Sequence, residues 1–237
     1  VEKIWNMKWE TDLLHGKYQL PFKELEKFIG NPEHMQLSRK IAQKSITIVK
    51  DENDQLPSKP ERIDSLAHII LTLDDNAQGY LKSFSRDIHR THGHVKEILI
   101  NNPLTDLGRL DIVNQMKEID QIVISLLVRI RMDKGISTID SSHAVLLADL
   151  KKLGVPVICF SFGSPYLPSY DMLDTYVCTF GYGSITMQVA ADALWGRISV
   201  QGMLPVDLDS KYLRGHGISK KKRNDGWGHH LQLDFPK

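Results

Sequence analysis

Short apolar runs alternate along this chain with longer segments whose apolar residues recur at helical spacing. The runs cover residues 45–50, 67–73, 95–101, 121–129, 155–160 and 176–180, and they are rich in Ile and Val. A strand with one wet face alternates apolar and polar positions, whereas a strand covered on both faces stays apolar throughout. The six runs therefore predict strands of a mainly parallel sheet with helices on both sides.

The segments between the runs carry helix grammar. Asp140-Ser141-Ser142 offers caps ahead of Leu146, Leu147, Leu150 and Leu153, and Lys151 and Lys152 fall where the helix dipole favours cations. Gly154 then stops that helix and Pro156 follows. After the last run a helix starts at Ser184, read as its cap, and carries Ala190, Ala191 and Ala193, small enough to lie close on a sheet. Near the start of the chain Trp5, Trp9 and Leu13 recur every four residues, with Gly16 as a stop. Asn31-Pro32-Glu33 opens a second helix that runs to about residue 44. The expected fold is a three-layer α/β/α sandwich with a mainly parallel, doubly wound sheet and an N-terminal helical extension. Residues 1–36 are expected to form the extension, 37–208 the sandwich, and 209–237 a tail or linker in which the basic run 220–223 is solvated.

Composition narrows the classes without naming one. The net charge of +1 gives no electrostatic footprint for nucleic acid. The longest apolar stretch, residues 119–130, is broken by Asp120, Gln121, Ser125 and Arg129 and is too short and polar to span a bilayer. Neither nucleic acid nor membrane is expected as a partner. The N-terminus is charged and amphipathic, without the apolar core of a leader, and Val1 in place of Met fits a processed chain or an excised piece. Cys159 and Cys178 sit inside apolar runs and read as buried thiols, which leaves the compartment open.

In an open parallel sheet, ligands bind beyond the carboxyl ends of the strands. Those ends fall at residues 74–76, 101–103, 129–133, 163–166 and 181–184. They supply Asp75, Asn102, Arg129, Ser164 and Tyr166 as candidate binding residues: amide, carboxylate, guanidinium and a flat ring, a set suited to a polyhydroxylated ligand. Gly181-Tyr182-Gly183 is only part of a dinucleotide fingerprint, because Thr186 stands where the third glycine belongs. Ser164 is not a nucleophile elbow, since Pro165 removes the N–H that would stabilise an oxyanion. His89, His92 and His94 lack companion thiolates or carboxylates at metal-site spacing and suit the end of a helix stopped by Gly93. No metal and no cofactor is expected. No pair of carboxylates announces itself as a glycosidase couple; Asp74 and Asp75 are adjacent on an extended strand end and diverge.

Three segments resemble a known family. Residues 37–50 (LSRKIAQKSITIVK), followed by Leu56-Pro57, are similar to the start of the C-terminal domain of glycoside hydrolase family 3. Residues 156–166 (PVICFSFGSPY) resemble a strand of its β-N-acetylhexosaminidase branch, and residues 190–196 with 202–206 (AADALWG, GMLPV) resemble the close of the same domain. Residues 1–14 resemble the last helix of the (β/α)8 barrel that precedes this domain in the family. The resemblance implies a partner barrel of the same protein, a saccharide substrate and catalytic carboxylates that lie in the barrel, so none is carried over to this chain. It also implies that the chain alone is inactive. The glucosidase branch takes an acid/base Glu from this domain, and neither Glu97 nor Glu118 sits in a matching segment. That favours the hexosaminidase branch. A β-glucosidase or xylosidase parent, and a non-catalytic scaffold or binding module, are the alternatives.

Overall fold

The computed structural model describes residues 1–15, 25, 28–74, 77–130 and 138–224. The chain divides into two units, Val1–Ser38 and Arg39–Lys237. In the first, α1 (Glu2–Glu10) buries none of its residues, and Trp5 and Trp9 are more than half exposed. A short 3-10 turn, Leu13–His15, follows it. Helix α2 (Pro32–Ser45) opens as its sequence predicts: Asn31 Oδ1 accepts the Glu33 amide at 2.8 Å. Among the described residues no helix is long and apolar enough to cross a membrane.

The second unit holds one six-stranded sheet. Its strands are β1 (Thr47–Asp51), β2 (Leu66–Thr72), β3 (Val95–Ile100), β4 (Gln121–Val128), β5 (Val157–Gly163) and β6 (Thr175–Cys178), in the order β1-β6-β5-β4-β2-β3. All neighbours run parallel except β1, which pairs antiparallel with β6 through Thr47↔Cys178 and Asp51↔Thr175. The helices are α3 (Ala77–Thr91), α4 (Asp106–Gln115), α5 (Ser141–Lys152) and α6 (Ser184–Leu194). Helix α5 is capped by Asp140, which accepts the Ser142 amide at 2.8 Å. Helix α6 departs from expectation: Gly183 takes the cap position and makes no side-chain bond, and Ser184 is already helical.

The double-sided apolar pattern of the strands builds two cores. On one face Leu66, Ile70, Val123, Leu127, Ile158, Phe160 and Phe162 meet Leu81, Phe84 and Ile88 of α3 and Met187, Ala190 and Leu194 of α6. Phe84 stands 5.2 Å, centroid to centroid, from both Phe160 and Phe162. Burying a ring of that size stabilises by about 1.5–3 kcal/mol. On the other face Ala67, Ile69, Ile122, Ile124, Leu126 and Cys159 meet Ile112 of α4 and Leu146, Leu147 and Leu150 of α5. Both cysteines are buried and free. The outer strand β3 is the least covered and carries Lys96 and Glu97, charges that discourage pairing with another chain.

From β2 the chain turns one way to β3 and then crosses back to β4 on β2's other side. The topological switch lies between the carboxyl ends of β2 and β4, which is where an open wound sheet leaves a crevice.

The chain closes the sheet with its own later segment. Gly202 lies so close to the Ile46 carbonyl that any Cβ would overlap it. Ile218 bridges Ile48, and Val200 bridges Lys220. The basic run is solvated only in part: Lys220 Nζ reaches Asp51 Oδ2 at 2.6 Å, and Arg223 pairs with Glu61 at 2.6 Å. Carboxylates more than 150 positions away along the chain pair with its two ends, which local sequence does not reveal, while Lys221 and Lys222 stay exposed.

Candidate functional site

The switch point carries an arginine held by two rings and a carboxylate. Thr72 ends β2 with its hydroxyl donating to the Leu127 carbonyl at 2.9 Å, and the same oxygen accepts the Asp74 amide at 3.0 Å. That turn presents Asp74 to Arg129, the first residue past β4, whose Nη1 donates to Asp74 Oδ2 at 2.7 Å. The guanidinium lies 4.8 Å from the Tyr80 ring centroid and 5.6 Å from that of Tyr182, and the two rings meet edge to face at 5.4 Å. A hydrogen bond with Tyr182, then one with Asp74, raises the Arg129 pKa above its ordinary value. Such a group remains a cation at every relevant pH and presents fixed donors.

The strand beside it explains why the loop there must be glycine. Gly163 ends β5 at φ +100°, and a Cβ would run into the Val128 carbonyl. That carbonyl accepts the Ser164 amide at 3.0 Å, which ties the β5 loop to the residue before Arg129.

The five residues expected from sequence fare differently. Asp75 lies outside the described residues. Arg129 is at the switch point, and Ser164 is next to it through the Val128 carbonyl. Ser164 is only 2 % exposed, its carbonyl accepts from Ser161 Oγ at 2.6 Å, and its side chain serves the loop. Tyr166 is 40 % exposed on the same loop. Asn102 is exposed past β3, where its Nδ2 donates to Asn101 Oδ1 at 2.9 Å and its carbonyl accepts from His143 Nε2, also at 2.9 Å. Sequence reasoning missed Tyr80 and Tyr182 as the walls around Arg129. The available signal was Tyr182 lying within a strand-end stretch.

A second polar group sits beneath α3. His68, at 0 % exposure in β2, places Nδ1 3.0 Å from Glu97 Oε2 on β3 and Nε2 2.8 Å from Ser125 Oγ on β4. Glu97 also receives the Ser85 hydroxyl, and His89 Nε2 lies 3.3 Å away. The hydrogen bond from His68 and that from Ser85 outweigh desolvation and hold the Glu97 carboxyl down at about 2. Burial lowers the His68 pKa, so the ring is neutral, with Nδ1–H donating to the carboxylate and Nε2 accepting from Ser125. The order serine, histidine, acid is that of a hydrolytic triad. Ser125 is at 0 % exposure, however, and no substrate reaches it. Its work is to tie three strands together. His92 bonds the Ile63 carbonyl at 2.8 Å, so the histidine cluster is dispersed among separate partners. Among the described residues no group of acids, histidines and cysteines is arranged for a metal.

No protein-family model matches the chain, and no curated protein does. Solved structures do match its fold. A β-glucoside phosphorylase is similar with a TM-score of 0.64 at 23 % identity, over 85 % of this chain and 36 % of that one. A fungal multi-domain family 3 β-N-acetylglucosaminidase gives 0.62 at 19 % identity, over 81 % of this chain and 21 % of that one. The glycoside hydrolase family 3 β-N-acetylglucosaminidase of a Paenibacillus species gives 0.54 at 21 % identity, over 76 % and 34 %. This chain thus has a fold found in part of much longer glycosidase chains, and it spans about a third of their length or less.

Proposed function

We propose that this chain is the C-terminal sandwich domain of a family 3-type glycoside hydrolase that removes terminal N-acetylhexosamine from saccharides. It braces a catalytic (β/α)8 barrel and lines the rim of its site. The observation that carries the reading is one of proportion. The wound sheet aligns over most of this chain with only 21–36 % of longer glycosidases. Support for the N-acetylhexosamine branch is narrower. It rests on the PVICFSFGSPY segment and on the absence of a matching acid/base Glu segment in this sequence. Glu97, whose carboxyl is held down at about 2, is occupied in bracing His68.

In this reading the sandwich supplies shape and fixed polar groups, and the barrel supplies the carboxylate pair. Arg129 would offer its donors at the rim, pre-oriented by Tyr80, Tyr182 and Asp74. A β-glucoside-acting parent is the alternative, favoured by the likeness to the phosphorylase. The discriminating experiment assays a protein containing this chain and its barrel on chromogenic N-acetyl-β-glucosaminide, β-glucoside and β-xyloside. The first is expected to be cleaved with the highest kcat/KM, and the 237-residue chain alone is expected to cleave none. Preference for the glucoside would overturn the branch; turnover by the chain alone would overturn the division of labour.

A further inference from the structure

The geometry points to a saccharide subsite between the β5 loop and residues 205–214, built around Tyr166, Asp207 and Arg214. This inference rests on the glycosidase reading and locates where the domain itself would hold a sugar ring.

The loop that carries Tyr166 is fixed from beneath. The Pro165 carbonyl accepts two tyrosine hydroxyls, Tyr176 at 2.7 Å and Tyr170 at 3.1 Å, and both tyrosines are buried. On the other side of Tyr166 the Leu167 amide donates to Tyr170 Oη at 3.3 Å, while Thr138 Oγ1 donates to the Tyr166 carbonyl at 3.0 Å. The backbone is held at three successive residues, yet the Tyr166 ring stays 40 % exposed. Folding alone does not call for an aromatic ring there.

The facing segment is equally ordered. The Leu204 amide bonds the His216 carbonyl and the Gly215 amide the Leu204 carbonyl, each at 2.8 Å. Asp209 Oδ1 accepts the Lys211 and Tyr212 amides, and Leu208 bonds Tyr212 at 2.9 Å. Tyr212 is buried and meets Tyr170 edge to face at 5.6 Å, so both walls share one aromatic footing. Between them lies an open depression of about 690 Å³ lined by Tyr166, Pro205, Val206, Asp207, Leu213 and Arg214.

Its chemistry selects among ligands. Asp207 Oδ1 accepts the Arg214 amide at 2.6 Å, and both residues line the depression. A carboxylate residue and a guanidinium residue lining one depression disfavour a phosphate or a dicarboxylate, because the carboxylate would repel it. They suit neutral hydroxyls, which both donate and accept. Tyr166, with Pro205, Val206 and Leu213, supplies apolar surface for the C–H face of a pyranose. Rigid walls reduce the ordering entropy that weakens such contacts, and the volume falls within the range of small-ligand pockets.

The test is a ¹H–¹⁵N NMR titration of the 237-residue chain with N,N′-diacetylchitobiose and, separately, cellobiose. Amide shifts are expected at Tyr166, Val206, Asp207, Leu213 and Arg214 with a Kd of roughly 1–10 mM, the weak end of the affinity scale. Tyr166→Ala and Arg214→Ala are each expected to weaken binding about five-fold or more, and Tyr166→Phe to leave it unchanged. Stronger shifts with the N-acetylated sugar identify the substrate's own sugar as occupant; equal shifts identify a generic pyranose subsite. Silence at these residues with both sugars, or shifts confined to Tyr80, Arg129 and Tyr182, would overturn the inference. If the barrel-containing protein still cleaves glycosides in that case, only the subsite is wrong. Binding here by a parent that cleaves no glycoside would leave the subsite standing and sink the functional reading.

Discussion

Replacing Asp87 by alanine should destabilise the sandwich by about 3–5 kcal/mol, the cost of removing one partner from a buried ion pair. Asp87 lies on α3 at 8 % exposure. Arg197 Nη1 donates to both of its oxygens, at 2.9 and 3.0 Å, and Trp195 Nε1 donates to Oδ1 at 3.1 Å. Arg197 also reaches Asp192 Oδ1 at 3.4 Å, and Asp192 pairs with Arg39 of α2. Burial raises the Asp192 pKa, and the charges of Arg39 and Arg197 work against that rise. Three helices on one face are therefore joined through two carboxylates. The alanine variant removes the main acceptor of a guanidinium whose side chain is 11 % exposed, and Asp192 compensates in part. That places the expected loss near the lower end of the range. Asp87→Asn keeps an acceptor and the shape but loses the charge, and should cost about 1–2 kcal/mol. Urea unfolding followed by far-UV circular dichroism reads both. With a slope of about 2–3 kcal/mol per M, the alanine midpoint should fall by roughly 1–2 M at unchanged slope. A cycle with Arg197→Met should show coupling above about 1 kcal/mol. An alanine variant within about 1 kcal/mol of the parent, or additivity with Arg197→Met, would refute the reasoning.

Two further outcomes follow from the same structure. Gly163→Ala forces a Cβ into the Val128 carbonyl at a left-handed φ, so it should cost about 2 kcal/mol or more and lower Tm by roughly 4–8 °C; an unchanged melting curve would mean that the β5 loop is not built as described. The Glu97 carboxyl is held at about 2 from an ordinary 4.5, a depressed folded value, so its stabilising contribution is complete above pH 4.5 and is lost as pH falls from there towards 2. Unfolding measured at pH 5.5, 4.5 and 3.5 should show a shallower acid slope in Glu97→Gln than in the parent, and identical slopes would remove Glu97 from the account.

What was legible in the sequence was what is decided locally. The strands show themselves because β2, β4, β5 and β6 are apolar on both faces, a pattern that needs no knowledge of neighbours. The Asn31 and Asp140 caps are equally local, each bonding an amide two residues on. The antiparallel direction of β1 is not local; it depends on Thr47 meeting Cys178, and nothing in either segment encodes the pairing. Arg129 was legible as a strand-end cation, but its setting was not. Tyr80 belongs to a helix and Tyr182 to a turn about a hundred residues later, and only the winding of the sheet brings both rings to the guanidinium.

His68 shows the same limit from the opposite side. By period two it shares a face with Leu66 and Ile70, so the sequence alone places a polar ring in an apolar core, a conflict without visible relief. Relief comes from register. His68 stands opposite Glu97 on β3, while its neighbour across β2 and β4 is Val123, two residues short of Ser125 on the same face. Ser125 is as anomalous in β4 as His68 is in β2, whereas Glu97 stands on the least covered strand, β3. The three become one satisfied network only when the strand order β4-β2-β3 is known. That order is set by two crossovers, which packing decides and periodicity does not. A polar residue in a two-sided strand is therefore best read as a demand for partners on both neighbours. The same rule separates Ser125, fully buried and bonded to His68, from Arg129 at the end of the same strand, where the chain leaves the core and a side chain becomes available to a ligand.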